Sequence, residues 1–142
     1  MIRKNNATGF SLIELLLVLA IMGIISGIAI PAFMGQRRRA RVIGDAQSNA
    51  QVLRMQLETY KADAGVYGAS GTTYAWTASG GTSGSGVSAL NFTPKGNSQM
   101  NYSVAVAGKG LTYVLSVNDP NLAGGTLTYR TNQNGSVLFV LR

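Results

Sequence analysis

Glu14 is the only charged side chain between Lys4 and Arg37, and residues 15–35 carry no charge at all. A carboxylate at the head of such an apolar run costs roughly 2.5–3.5 kcal/mol in a membrane even on lenient insertion scales, so it requires a partner or a task. The chemistry open to a lone carboxylate in low dielectric is to pair with a cation. Catalytic chemistry has no comparable foothold. The chain has no histidine and no cysteine, and beyond Gly44 its only acids are Asp45, Glu58, Asp63 and Asp119, scattered along the sequence. No phosphate loop, nucleophile elbow or zinc spacing is present. The residues therefore predict a protein that is not an enzyme and has no cofactor or metal centre. Asn118, Asp119 and Asn121 offer the oxygen ligands that calcium takes, but an Asx turn explains them more simply.

The element that positions Glu14 is a helix. Residues 15–35 span roughly 32 Å at the α-helical rise, against about 30 Å of bilayer hydrocarbon. The apolar core of a secretory signal is usually about 7–15 residues, whereas this run is longer and carries an acid. Within it Gly23 and Gly27 form a small-xxx-small pair that lets two helices approach closely. Pro31 removes one backbone hydrogen bond and is expected to kink or loosen the helix. Arg37, Arg38, Arg39 and Arg41 follow directly. They account for much of the net charge of +7 and run against the positive-inside rule if the C-terminal part is exported. A solvated or lipid-headgroup-binding face and a subunit contact are both open to them. Past Gly44 the chain is only mildly basic, which disfavours nucleic acid as a specific partner.

Ile43, Ala46, Ala50, Leu53, Leu57 and Tyr60 recur at helical spacing, predicting that the helix continues as an amphipathic scaffold over residues 36–64, with Gly65 closing it. Residues 65–100 read as a surface loop region rich in Gly, Ser and Thr. Tyr74 and Trp76 in it either pin the loop to the domain or meet a neighbour or receptor. Strands are expected at residues 102–107, 111–117, 126–131 and 137–141. The short links at residues 108–110 and 132–135 make them an antiparallel meander within 101–142. The predicted class is α+β: one long N-terminal helix, anchor plus amphipathic half, packed on a C-terminal sheet.

Gly9-Phe10-Ser11-Leu12-Ile13-Glu14 resembles the processing site of type IV pilins and of the pseudopilins of type II secretion. The resemblance implies that residues 1–9 are a leader, that a prepilin peptidase cuts between Gly9 and Phe10, and that the new amine of Phe10 is methylated. It implies that Glu14 neutralises the amine of a neighbouring subunit during assembly, and that residues 10–35 form first a membrane anchor and then a filament core. Pro31 matches a proline common in the family's membrane helix, and the stretch from Gly23 to Pro31 is expected to lose helicity in a fibre. The physics is compatible: a Phe10 ammonium and a Glu14 carboxylate on adjacent helices remove each other's unpaired charge, and cleavage creates the amine.

The fold implied is the pilin fold. The function implied is a type IV pilus subunit, of the type IVa branch by its short leader and Phe10, serving adhesion, motility or DNA uptake. Its partners would be copies of itself in a helical homopolymer, the prepilin peptidase, an inner-membrane assembly platform with its ATPase, and membrane lipid before assembly. It would sit in the inner membrane with the C-terminal domain outside, then in an extracellular filament. The alternatives are a pseudopilin forming a short periplasmic pseudopilus and a non-polymerising membrane-anchored binding domain. Two departures from the pilin pattern stand out. No cysteine is available for the C-terminal disulfide many pilins carry, and Gly68 stands where pseudopilins commonly have a proline.

Overall fold

The computed structural model describes residues 9–84, 89–97, 99–122 and 125–141. The leader residues 1–8 and part of the turn after Asp119 lie outside these. One helix, α1 (Leu12–Ala64), is followed by β1 (Thr73–Trp76), β2 (Thr82–Ser83), β3 (Asn101–Ala107), β4 (Thr112–Asp119), β5 (Thr126–Asn132) and β6 (Val137–Val140). The α+β class expected from the sequence is the class observed. The chain divides into two compact units, Met1–Arg38 and Arg39–Arg142, and α1 contributes to both.

In the N-terminal unit α1 is apolar all round, and every residue described there is exposed. It is helical through Pro31 and over Gly23 to Pro31, so this single chain shows no loss of helicity there. Proline has no N–H to give to the carbonyl four residues back, which here belongs to Gly27.

In the C-terminal unit α1 changes character. Its buried residues are Val42, Ala46, Asn49, Ala50, Leu53 and Leu57, a stripe at three- and four-residue spacing. The stripe begins at Val42 and not at Ile43, which is only half-buried. Counting back from Leu57 in steps of three or four through Asn49 and Ala46 reaches Val42, while Ile43 sits one helical step of about 100° away. At the end of the helix the Gly65 N–H bonds the Lys61 carbonyl at 2.8 Å, and Gly65 adopts φ 79°, a left-handed close that glycine takes without strain.

The strands form one antiparallel sheet in the order β2-β1-β3-β4-β5-β6. From β3 to β6 it is the expected meander. Opposed pairs place one face inward: Trp76 with Tyr102, Tyr74 with Val104, Val104 with Leu115, and Val117 with Tyr129. These residues and the α1 stripe form one core. At roughly 1.5–3 kcal/mol per fully buried large apolar side chain, that core is the main stabilising term of this unit.

The expectation of a surface loop over residues 65–100 is corrected. That segment supplies β1 and β2, and Tyr67, Tyr74, Trp76, Leu90, Phe92 and Met100 are all buried. Trp76 stands edge-on to Phe92 with centroids 5.2 Å apart, and Phe92 is likewise edge-on to Tyr102 at 5.2 Å. The segment is tied down by polar contacts as well. Asn49, buried in mid-helix, donates to the Lys95 carbonyl at 2.7 Å and to Tyr102 Oη at 2.9 Å, while its own carbonyl oxygen accepts the Lys95 N–H at 2.9 Å. Gln56 Nε2 donates to the Asn91 carbonyl at 2.7 Å. Farther along, the Tyr67 N–H bonds the Gly110 carbonyl at 2.8 Å, and a Cβ on Gly110 would collide with the Gly68 carbonyl, so this crossing requires glycine.

Two expectations follow. Replacing Asn49 with Leu leaves the buried Tyr102 hydroxyl without this partner, at about 1–3 kcal/mol, and removes both bonds to the partly buried Lys95 backbone. Amide exchange at residues 90–96 should accelerate well beyond that of β3 and β4. The second concerns alkali. Burial raises the hydroxyl of Tyr102 to about 12, opposed by its bond from Asn49 and assisted by the Asp45 charge. Burial is also the leading cause of the upward shifts at Tyr67, Tyr74 and Tyr113. These groups hold their protons in the folded chain where the unfolded chain loses them near pH 10. The stability this contributes is complete below pH 10 and is lost as pH rises towards 12. A denaturant midpoint followed by circular dichroism should fall across that window, and less steeply in Tyr74→Phe.

Candidate processing and assembly segment

Gly9 and Phe10 precede α1 outside any helix or strand and are exposed, Phe10 by 88%. The bond between them is thus open to a protease active site. Among the described residues nothing requires glycine at position 9: its φ lies outside the left-handed region, and a Cβ there would meet no atom within 4 Å.

Ser11 caps α1. Its carbonyl accepts the Leu15 N–H at 3.3 Å, closing the first turn, and its own N–H donates to Glu14 Oε2 at 3.2 Å. Ser11-Leu12-Ile13-Glu14 therefore has the spacing of a capping box, in which the acid three residues into the helix reaches back to the N-cap backbone. This local role is distinct from the charge pairing expected of Glu14, and Ser-x-x-Glu before an apolar run is its signal in the sequence. The carboxylate also lies at the positive end of the helix dipole. In the uncleaved chain Glu14 is held beside the residue that becomes second after a cut at Gly9, one position from the amine the cut would create.

Gly23 and Gly27 behave as Gly9 does. A Cβ at either would meet nothing within 4 Å, although glycine in a helix interior costs about 1 kcal/mol relative to alanine. Around them Leu15 to Met34 expose every large apolar side chain to the surroundings. At roughly 1.5–3 kcal/mol each, leaving them in water forfeits tens of kcal/mol, so this surface requires lipid or another protein. Among the described residues one helix is long and apolar enough to cross a membrane. Arg37 and Arg38 end this unit, both exposed, with the Arg37 guanidinium 6.0 Å from the centroid of the Phe33 ring.

The other candidate residues lie apart from this segment. Tyr74 and Trp76 are core residues, 2% and 3% exposed, so of the two alternatives they pin their segment to the domain and are not presented to a neighbour or receptor. Asp119 is buried, and its Oδ1 accepts the Asn121 N–H at 2.8 Å, an Asx turn. Among the described residues no three His, Cys, Asp or Glu side chains are grouped to hold a metal ion.

Residues 4–30 match the family model described as the prokaryotic N-terminal methylation motif. The chain thus carries the prepilin signal of type IV pilins and pseudopilins, and the signal implies processing by a prepilin peptidase and polymerisation of a secreted subunit. No solved structure matches the chain.

The capping geometry yields its own expectation. Glu14→Ala removes the acceptor of the Ser11 N–H and should fray the first turn, raising amide exchange at residues 11–15 of the chain in micelles. Glu14→Gln keeps an acceptor oxygen and should leave that turn largely intact. The cost of losing a helix cap is about 0.5–2 kcal/mol.

Proposed function

We propose that this chain is the structural subunit of a type IV pilus. It is cut between Gly9 and Phe10, methylated on Phe10, and polymerised through α1 into a surface filament. The observation that carries the reading is the apolar half of α1, headed by Glu14 and exposed among the described residues. Lipid covers it in the precursor, held in the inner membrane with the C-terminal unit outside. Copies of the same helix cover it in the filament, where Gly23 and Gly27 permit close approach and Pro31 leaves the Gly27 carbonyl open to local unwinding. Glu14 then exchanges the backbone N–H of Ser11 for the Phe10 ammonium of a neighbour, a stronger partner in low dielectric. An inner-membrane platform and its ATPase would drive extraction.

A pseudopilin of type II secretion is the second reading, and the absence of cysteine favours it, since the C-terminal strand β6 is held by pairing with β5 and by Val140 against the core, with no disulfide.

Peptide mass spectrometry on filaments sheared from the producing cell tests the proposal. Abundant fragments beginning at N-methylated Phe10 are expected, and Glu14→Gln should abolish them while cleaved subunit accumulates in the membrane. Processed wild-type chain confined to the membrane fraction would exclude the long pilus and leave the pseudopilus.

A further inference from the structure

The sheet has two outer strands, and they are finished differently. β2 closes one side with two polar residues, Thr82 and Ser83, between Gly81 and Gly84, and so short an edge offers little to pair with. β6 closes the other side with Val137-Leu138-Phe139-Val140, and among the described residues it pairs only with β5. It carries none of the charges or prolines that keep an edge strand solitary. We propose that β6 is a docking edge, which accepts as a further strand an extended segment of another polypeptide, apolar at alternate positions and acidic at its ends.

The edge is built to be met. Val140 packs against the core and fixes the strand, while Val137, Leu138 and Phe139 are exposed. Across β5, Val137 meets Thr131 and Phe139 meets Arg130, so Leu138 is the extra residue of a bulge, a device that re-aims side chains at sheet edges. A groove of about 510 Å³ is lined by all four residues of β6. In strand addition the unpaired backbone of an edge supplies hydrogen bonds, and apolar hollows beside it take alternate side chains of the incoming segment.

Charge selects the occupant. Residues 120–142 contain no acid. Arg130 is exposed and stands opposite Phe139, and the Arg54 guanidinium lies against the turn that leads into β6, where a Cβ on Gly135 would be 2.8 Å from Nη2. An incoming strand would run two strand spacings from β5, about 10 Å away. An arginine and a glutamate extended towards each other span that distance, and opposite charges across neighbouring strands favour pairing.

A second copy of this chain is a poor match. Pairing β6 with β6 sets two arginine-flanked edges side by side without an acid, and like charges oppose it. The other outer strand is no better, since residues 64–118, which include β2, also contain no acid. Beyond Gly44 the acids are Asp45, Glu58 and Asp63, all on α1, and Asp119, which is buried. The chain thus holds no acid-flanked apolar strand with a free edge to offer to β6.

The test uses the full-length chain in zwitterionic micelles and a synthetic peptide whose central residues alternate valine and threonine, with two glutamates at each end. Amide exchange at residues 137–140 should slow as the peptide is added and then saturate, with no change at β2. A peptide with lysines in place of the glutamates should bind about fivefold more weakly, the worth of one cross-strand charge pair. Arg130→Gln should narrow that difference. Phe139→Lys puts a charge on the edge and should abolish binding, with the emission of buried Trp76 unchanged as the sign that the variant is folded. The proposal fails if the glutamate peptide leaves exchange at residues 137–140 unaltered in the wild-type chain, or if the two peptides bind equally. Slowed exchange that appears without peptide and grows with chain concentration would make a second copy the occupant and overturn it as well.

Discussion

The structure depends on one unmet requirement, a surface of apolar side chains that the chain itself does not cover. From Phe10 to Met34 every large hydrophobic residue is exposed, and the hydrophobic effect makes water an untenable neighbour for that much surface. A helix satisfies its own backbone hydrogen bonds, so only its side chains, not its backbone, need lipid or protein around them. The requirement also explains where the charge stands. Glu14 sits in the first turn, where the helix dipole and the Ser11 N–H hold it at little cost.

The same helix meets a second solvent past the arginines. There it carries a narrow stripe from Val42 to Leu57, packed in one core with the antiparallel sheet and with the segment before β3. Asn49 lies within it, a residue that mid-helix propensity disfavours. Its amide faces the Lys95 backbone as a neighbouring strand would, offering both a donor and an acceptor. The irregular segment before β3 thereby gains its hydrogen bonds from the helix instead of from the sheet, which lets Leu90 and Phe92 enter the core without unpaired backbone at Lys95.

How much of this the sequence disclosed varies with how local the cause is. The long helix and strands β3 to β6 follow from periodicity and from short turns, and the structure places them within a residue or two of the expected positions. Strands β1 and β2 were missed because glycine, serine and threonine dominate their surroundings, and because they are only four and two residues long. Thr73-Tyr74-Ala75-Trp76 nevertheless alternates small and aromatic residues, a period-two signal that composition outweighed. Asn49 had no such signal: its partner Lys95 is 46 residues away, and only the folded sheet brings the two together. The capping role of Glu14 was legible in Ser11-x-x-Glu14 but hidden behind the more conspicuous question of its charge.

Glycine separates the constraints that act within the chain from those that act outside it. At Gly110 a side chain would strike the Gly68 carbonyl, so the fold alone explains the residue. At Gly9, Gly23 and Gly27 a side chain would strike nothing, and the backbone is not left-handed. In the helix the latter two sacrifice stability with no return inside one molecule. Pro31 adds to this by denying the Gly27 carbonyl its helical donor, a loss the isolated helix does nothing to recover. Residues that weaken an element while touching nothing point to a partner. Gly23, Gly27 and Pro31 lie in the half of α1 whose apolar surface is exposed among the described residues, so the residues that weaken the helix and the surface that most needs covering coincide.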